Sequence, residues 1–152
     1  LVDDATRTLE MARTLVLGKL KNSRTLLQRA ARETADVSES QQLDRIVLDL
    51  AASLRATQQA DTLDALRGIE GEAARNYFGA LNLAVKPSYR SQFRMNGRSR
   101  RPPLDRLNAL LSFLYAMQMN DCRSALETVG LDPQLGFLHA LRQGRAALAL
   151  DL

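Results

Sequence analysis

The sequence predicts an all-α fold within a single domain, residues 1–152. Of these residues 45% are hydrophobic, and a chain of this length can bury a sizeable core. Leucine and alanine supply much of that content, while runs of β-branched residues are few, a composition that favours helices. Apolar residues also recur every three or four positions, which is the period of an amphipathic helix.

Composition also limits the setting in which the chain works. No run of about 18 apolar residues occurs, so we predict no membrane span. Cys122 is the only cysteine, which excludes an internal disulfide and a cysteine-based zinc site and favours a reducing, cytoplasmic location. The formal net charge of +4 and the pI near 9.7 permit a polyanionic partner without requiring one.

Apolar stripes and helix start and stop signals place five helical segments along the chain. The segments span residues 2–34, about 39–59, 62–83, 102–129 and 146–152. Gly18 weakens the first by about 1 kcal/mol, which leaves either one long helix or a helix pair. Pro102-Pro103 is expected to open the fourth, because proline is tolerated in the first helical turn. A break at Asn120-Asp121 and a C-cap at Gly130 are also expected there.

Glu70 lies within the apolar stripe of the third segment. That stripe comprises Leu63, Leu66, Ala73, Ala74, Tyr77 and Leu81. A carboxylate on an inward face must be paired, protonated or bound to a metal, because an unpaired buried charge is expensive. Gly68 and Gly71 flank Glu70 and together cost about 1–2 kcal/mol relative to alanine, which suggests room for a ligand or another backbone. The alternative is a close helix crossing with Glu70 in an ordinary salt bridge.

The segment 86–103 contains no acidic residue and is rich in arginine, with Tyr89 and Phe93 interleaved. Clustered arginine beside aromatic rings is what phosphate contacts and base stacking use. A mobile, solvated loop is the alternative reading. The candidate nucleic-acid-binding residues, with one from the third helix added, are Arg75, Lys86, Arg90, Arg94, Arg98, Arg100 and Arg101.

The fourth segment carries a polar row, which includes Asn108 and Ser112, beside apolar residues on several other faces. A helix that is apolar on several sides is expected to be central to the fold, so Asn108 and Ser112 are candidates to line a cavity. His139 is the only histidine in the chain. A lone histidine is more often structural than a ligand, and the spacing alone does not decide between these roles.

Four stretches, taken in order, resemble one known family over almost the whole chain. They are residues 18–22 (GKLKN), 68–78 (GIEGEAARNYF), 100–115 (RRPPLDRLNALLSFLY), and 130–139 continuing to 148–152. They are similar to the C-terminal helical catalytic lobe of the CRISPR-associated integrase/endonuclease family of spacer-acquisition proteins. The first ligand block of that family corresponds to residues 68–78, and its central helix to residues 100–115.

The resemblance implies a helical catalytic domain that uses Mg²⁺ or Mn²⁺ to cleave and join DNA, inserting new spacers into CRISPR arrays. By family position, Glu70 and His139 would be catalytic metal ligands, and a third acid would lie one turn beyond Asp151, past Leu152. Candidate site-lining residues are Tyr77, Asn108, Ser112 and Asp151. Implied partners are protospacer and repeat DNA, a small second adaptation protein and, in the full-length protein, a second copy forming a homodimer.

Two hypotheses follow. The leading one is the catalytic lobe of a metal-dependent DNA integrase and nuclease, with the family's N-terminal β-rich lobe and last helix expected to be absent. The alternative is a non-catalytic helical DNA-binding or scaffolding domain. Metal binding at Glu70 and His139 separates the two hypotheses, and the most useful observation is whether both side chains converge within ligand distance of one point. For a chain ending at Leu152 we expect DNA binding without integration, since one metal ligand is missing.

Overall fold

The structure, a computed structural model, describes residues 4–140 and 142–152. These residues form five α-helices and one short 3-10 helix, and they contain no β-strand. The helices are α1 (Ala5–Glu33), α2 (Val37–Gln59), α3 (Leu63–Ala84), α4 (Arg106–Thr128) and α5 (Ala147–Asp151), with the 3-10 helix at Pro87–Tyr89. The predicted all-α fold is confirmed. The predicted start of the first helix at residue 2 lies outside the described residues.

Side-chain N-caps explain where the four long helices begin. The carboxylates of Asp4 and Asp36 and the hydroxyl of Thr62 accept hydrogen bonds from first-turn amides of α1, α2 and α3. The predicted start of α4 at Pro102-Pro103 is wrong. Asp105 caps α4 instead, accepting a 2.8 Å bond from the Asn108 amide, so both prolines lie in the preceding segment.

Of the two readings of the first segment, one long helix is correct, and the break expected in α4 does not occur. α1 runs without a break through Gly18, and α4 continues through Asn120-Asp121. In α1 the buried row that includes Val16, Leu20 and Leu27 supplies tertiary packing that outweighs the low helix propensity of one glycine. The predicted C-cap of α4 is confirmed.

The α4 C-cap has the pattern of a Schellman motif. Gly130 has a φ of +77°, and its amide donates to the Glu127 carbonyl at 3.1 Å. The Leu131 amide donates to the Leu126 carbonyl at 2.9 Å.

The main core lies among α1, α2 and α3, which pack against one another in all three pairings. Its members include Leu20 of α1, Leu43 and Leu50 of α2 and Leu66 of α3, each fully or almost fully buried. Burying a leucine side chain contributes about 1.5–3 kcal/mol. Leu138 joins the same cluster from the segment after α4. The core therefore holds α3, and with it Glu70, in a fixed position.

The expectation that α4 is central to the fold is wrong for the described residues. α4 packs against α5 near Leu126, and it meets the C-terminal end of α3 through Leu107. Its opposite face is exposed and includes Leu110, Phe113, Leu114 and Met117. An apolar pattern on several faces shows which faces can be buried, but neighbouring elements decide which of them are. Among the described residues, no helix is both long and apolar enough to cross a membrane.

Candidate functional site

A cavity of about 270 Å³ brings Glu70 of α3 and His139 together. These are the two residues that the resemblance assigns as metal ligands. The other lining residues are Arg67, Leu138, Ala140, Arg142 and Arg145. The cavity wall therefore combines a carboxylate and an imidazole with three guanidinium groups.

The His139 ring is oriented by Asp151 of α5. His139 Nδ1 lies 2.6 Å from Asp151 Oδ1, and the Asp151 side chain is fully buried. Because Nδ1 faces a carboxylate, it carries the ring proton in the neutral imidazole, and Nε2 keeps its lone pair. A carboxylate behind a histidine is the usual way in which proteins fix a metal-ligating imidazole.

Asp151 also holds the backbone around His139. Its Oδ2 accepts hydrogen bonds from the amides of Phe137 at 2.6 Å and Leu138 at 3.0 Å, and its Oδ1 accepts one from the His139 amide at 3.0 Å. Burial by itself raises the pKa of Asp151. The hydrogen bonds from the His139 ring and from these amides outweigh burial and leave the pKa below its ordinary value. Both carboxylate oxygens are thus already engaged within the protein.

Gly136 permits this close packing of the His139 segment on α5. A Cβ atom at Gly136 would lie 2.8 Å from Ala147 and 2.9 Å from Asp151 Oδ2, distances that no real Cβ tolerates. A hydrogen bond of 2.9 Å from the Leu148 amide to the Pro133 carbonyl holds the two segments together. Residues 133–139 and α5 therefore form one unit that carries the histidine.

Arg67 joins this unit to α3. Its Nε donates to the Leu138 carbonyl at 2.8 Å, and its guanidinium is held from the other side by Asp64, at 2.7 Å. Arg67 lies one helical turn before Glu70, and Leu138 directly precedes His139. This hydrogen bond therefore couples the position of the carboxylate to the position of the imidazole.

Glu70 is paired with Lys19 of α1 through a direct contact between Lys19 Nζ and Glu70 Oε1. The Glu70 side chain is 21% exposed and that of Lys19 is 53% exposed. A Cβ atom added at Gly68 or Gly71 would meet no described atom within 4 Å, so no other helix backbone closes on α3 at these glycines. The alternative to a ligand site was a close helix crossing with Glu70 in an ordinary salt bridge; the salt bridge is present, and the close crossing is not.

The basic segment between α3 and α4 is held in place by two asparagines. The Asn82 side chain donates to the Met95 carbonyl at 2.8 Å and accepts from the Met95 amide at 2.9 Å. Asn108, which is fully buried, donates to the Gly97 carbonyl at 2.9 Å and accepts from the Ser99 amide at 3.0 Å. These hydrogen bonds attach the segment to α3 and α4, while several of its side chains stay exposed. Asn108 therefore holds the segment and does not line the cavity.

Two of the candidate DNA-binding arginines are engaged inside the protein. Arg90 pairs with both carboxylate oxygens of Glu39 and donates to the carbonyls of Leu83 and Val85. The bond from Arg90, with a smaller one from Thr34, holds the pKa of Glu39 below its ordinary value.

Arg98 lies between the rings of Phe78 and Tyr115, with its guanidinium carbon 5.7 Å from each ring centroid. It also donates to the side-chain oxygen of Asn108 at 2.9 Å. Burial, and less strongly the charge of Arg100, lower the pKa of Arg98.

The remaining candidate cations are exposed. They are Arg75, Lys86, Arg94, Arg100 and Arg101. Tyr77 packs between the main core and the cluster around Leu81, and Ser112 lies beside Arg98 at 3.4 Å, so the structure does not bring either to the Glu70–His139 cavity. Within the described part of the chain, no group of three or more His, Cys, Asp or Glu side chains is placed to hold a metal.

Sequence reasoning missed four residues around the cavity. They are Lys19, Arg67, Arg142 and Arg145. Arg67 stands one turn from Glu70, and both Arg142 and Arg145 follow His139 closely, so proximity in sequence was an available signal for these three. Lys19 carries no such signal, because 51 residues separate it from Glu70.

Comparison with known proteins supports the resemblance. The family described as CRISPR associated protein Cas1 matches residues 1–152. The chain is 48% identical over 151 residues to CRISPR-associated endonuclease Cas1 1 of Moorella thermoacetica, covering 99% of this chain and 44% of that protein. It therefore spans less than half the length of this relative.

Two solved structures share the fold. A Cas1 protein from Thermotoga maritima matches 97% of this chain and 42% of its own length, with a TM-score of 0.77 and 26% identity. A chain of a partial Cas6-RT-Cas1–Cas2 complex matches 99% of this chain and 42% of its own length, with a TM-score of 0.84 and 26% identity. Since the family match extends over every residue of the sequence, the chain belongs to the CRISPR-associated Cas1 family.

Proposed function

We propose that the chain is the catalytic lobe of a metal-dependent DNA endonuclease/integrase that inserts new spacers into CRISPR arrays by phosphodiester cleavage and strand transfer. The observation that carries the proposal is the cavity shared by Glu70 and an Asp151-oriented His139. The relative from Moorella thermoacetica is named an endonuclease, which supports the cleavage step.

The donor set of the cavity fits Mg²⁺ or Mn²⁺. A carboxylate oxygen from Glu70 suits a hard cation, and one imidazole nitrogen from His139 is compatible with Mn²⁺. When bound, such a cation polarises a phosphate and activates a water or a 3′-hydroxyl for in-line attack. Asp151 contributes by holding the ring, because its oxygens already accept four hydrogen bonds.

The arginines of the cavity suit an anionic substrate. Arg67, Arg142 and Arg145 surround one carboxylate and one imidazole, so the wall carries a surplus of positive charge. A guanidinium group can donate two parallel hydrogen bonds to a phosphate, and its charge favours a phosphodiester over a neutral ligand. Arg67 is already oriented by Asp64 and Leu138, so it binds without first losing side-chain freedom.

Further exposed cations lie outside the cavity. Lys86, Arg94, Arg100 and Arg101 lie on a segment that two asparagines and Arg90 keep in place. A basic surface of fixed shape suits the phosphate backbone of DNA. We include protospacer and repeat DNA, a small second adaptation protein and a homodimer of the full-length protein in the proposal. The solved Cas6-RT-Cas1–Cas2 complex, which contains Cas2 together with Cas1, supports the small second adaptation protein as a partner.

Metal removal and loss of His139 test the proposal in the full-length protein. A labelled protospacer duplex and a plasmid carrying a CRISPR repeat are incubated with wild-type protein and Mn²⁺, with or without EDTA. We expect integration with Mn²⁺, none with EDTA, and a loss of more than about 100-fold in His139→Ala, because an essential ligand is missing. The competing function is a non-catalytic DNA-binding scaffold. If the wild-type protein binds DNA equally well with Mn²⁺ and with EDTA but forms no Mn²⁺-dependent product, the scaffold is favoured.

The difference between the exposed arginines of this segment and Arg98, which is engaged inside the protein, gives a second prediction. Replacing Arg94, Arg100 and Arg101 together by alanine should weaken DNA binding and lower the slope of log affinity against log salt by about 2–3, since each phosphate contact contributes about 0.9. The melting temperature should stay near that of the wild-type protein.

Arg98→Ala is the matched control for this experiment. It should lower the melting temperature, because it removes the contacts with Phe78, Tyr115 and Asn108, and it should change the salt slope little. A triple variant with the wild-type salt slope would show that the segment does not bind phosphates.

A further inference from the structure

The Lys19–Glu70 pair joins the α1–α3 interface to the cavity. Lys19 follows Val16 and precedes Leu20, both of which are buried in the main core, and Glu70 lies between Leu66 and Ala73 of the same core. The core therefore fixes both backbones. The long lysine side chain is the more exposed of the two, and it can change position.

The surroundings of the pair are open. Glycines flank both members, namely Gly18 beside Lys19 and Gly68 and Gly71 near Glu70. A Cβ atom at any of the three would meet no described atom within 4 Å. The Lys19 side chain is 53% exposed, so its ammonium group can leave Glu70 for solvent.

Glu70 cannot serve a divalent cation and Lys19 equally. A cation bound at the Glu70 carboxylate places two positive charges next to the ammonium group, and their repulsion is strong at contact distance. A phosphodiester bound at the same cavity supplies negative charge a few ångströms away. The ammonium then has a better partner than the carboxylate that it shares with the cation.

We propose that Lys19 is an exchangeable counter-ion of Glu70, which leaves the carboxylate when a divalent cation binds there and then binds a non-bridging oxygen of the DNA phosphate. This rests on the proposed function and adds a substrate-binding residue to the site. Lys19 then has two partners, one after the other: Glu70 before the cation binds and the phosphate afterwards. Loss of Lys19 should therefore strengthen cation binding and weaken DNA binding.

The experiment uses the full-length protein and Lys19→Met, which keeps the chain length of the side chain and removes its charge. Lys19→Gln is the second variant, and Lys21→Met, at an exposed lysine of the same helix, is the matched control. Mn²⁺ affinity without DNA is measured by electron paramagnetic resonance. DNA affinity is measured over a range of salt, with and without Mn²⁺, on a duplex that lacks 3′-hydroxyls.

We expect Lys19→Met to bind Mn²⁺ about two- to fivefold more tightly than wild type, which corresponds to losing a half-exposed ion pair. In wild type, Mn²⁺ should steepen the salt dependence of DNA binding by about one phosphate contact. That increment should be absent in Lys19→Met and present in Lys21→Met.

Mn²⁺ affinities of Lys19→Met and Lys19→Gln equal to that of wild type would overturn the exchange. An unchanged salt increment in these variants would overturn the contact with phosphate. Glu70→Gln separates the levels of the proposal: if it binds Mn²⁺ as tightly as wild type, the metal site fails and the exchange fails with it. If it loses Mn²⁺ while Lys19→Met changes nothing, only the role of Lys19 is refuted.

Discussion

Glu70→Ala is expected to reduce both DNA cleavage and spacer integration by more than about 100-fold. Loss of a group that only supports a metal ligand costs about 10–100-fold, and loss of the ligand itself should cost more. The carboxylate that would hold the cation disappears, so the loss should fall on the rate far more than on DNA affinity. Single-turnover integration by the full-length protein, together with DNA binding, measures both quantities. Stability should change little, because the Lys19 partner is 53% exposed and surface ion pairs contribute about 0–1 kcal/mol.

Glu72→Ala is the matched control for Glu70→Ala. Glu72 lies on the same helix, two residues further along, and is exposed. It should keep wild-type rates and wild-type stability. Integration by Glu70→Ala at the rate of Glu72→Ala would remove Glu70 from the set of metal ligands.

Asp151→Asn is expected to lower integration by about 10–100-fold, although Asp151 is not assigned as a ligand. The asparagine amide group would face N–H donors that now point to a carboxylate oxygen, so the His139 ring and its backbone would lose their orientation. Mn²⁺ affinity should fall with the rate. We also expect the free energy of unfolding to fall by about 1–3 kcal/mol, the usual effect of leaving a buried donor unsatisfied.

Asp121→Asn, an exposed position on α4, is the control for this substitution. The readouts are Mn²⁺ affinity, integration rate and urea unfolding of the full-length proteins. A purely structural role for Asp151 predicts lower stability with unchanged Mn²⁺ affinity in the folded protein. That result would contradict the positioning of His139 by this carboxylate.

The helices were predictable because their signals are local. The stripe of α3 and its Thr62 cap can be read within about one helical turn, and both are present in the structure. The start of α4 was misplaced because Pro102-Pro103 and Asp105 are both valid start signals. Only the hydrogen bonds that Asp105 makes decide between them, and these depend on the folded segment around Asn96 and Asn108.

The candidate site was predictable only in part. Glu70 stood out as an acid on an apolar stripe, but the assignment of His139 came from family resemblance, since spacing between such distant residues carries no information. Arg98 was read as a phosphate contact because arginine beside aromatic residues has that meaning on a surface. In the structure the aromatic residues that it meets are Phe78 and Tyr115, on α3 and α4, and this long-range contact leaves no local pattern.

The hydrogen bond from Arg67 to Leu138 joins two parts of the candidate cavity that differ in their resistance to opening. Glu70 stands on α3, one of the three helices of the main core, whereas His139 is carried by a short helix and a turn that join this core through Leu138 and Arg67. Local opening of the histidine segment therefore requires far less energy than unfolding of the core. In amide hydrogen exchange, the amides of residues 137–139 should exchange well before those of α3. A cation bound across both parts should slow the faster exchange selectively.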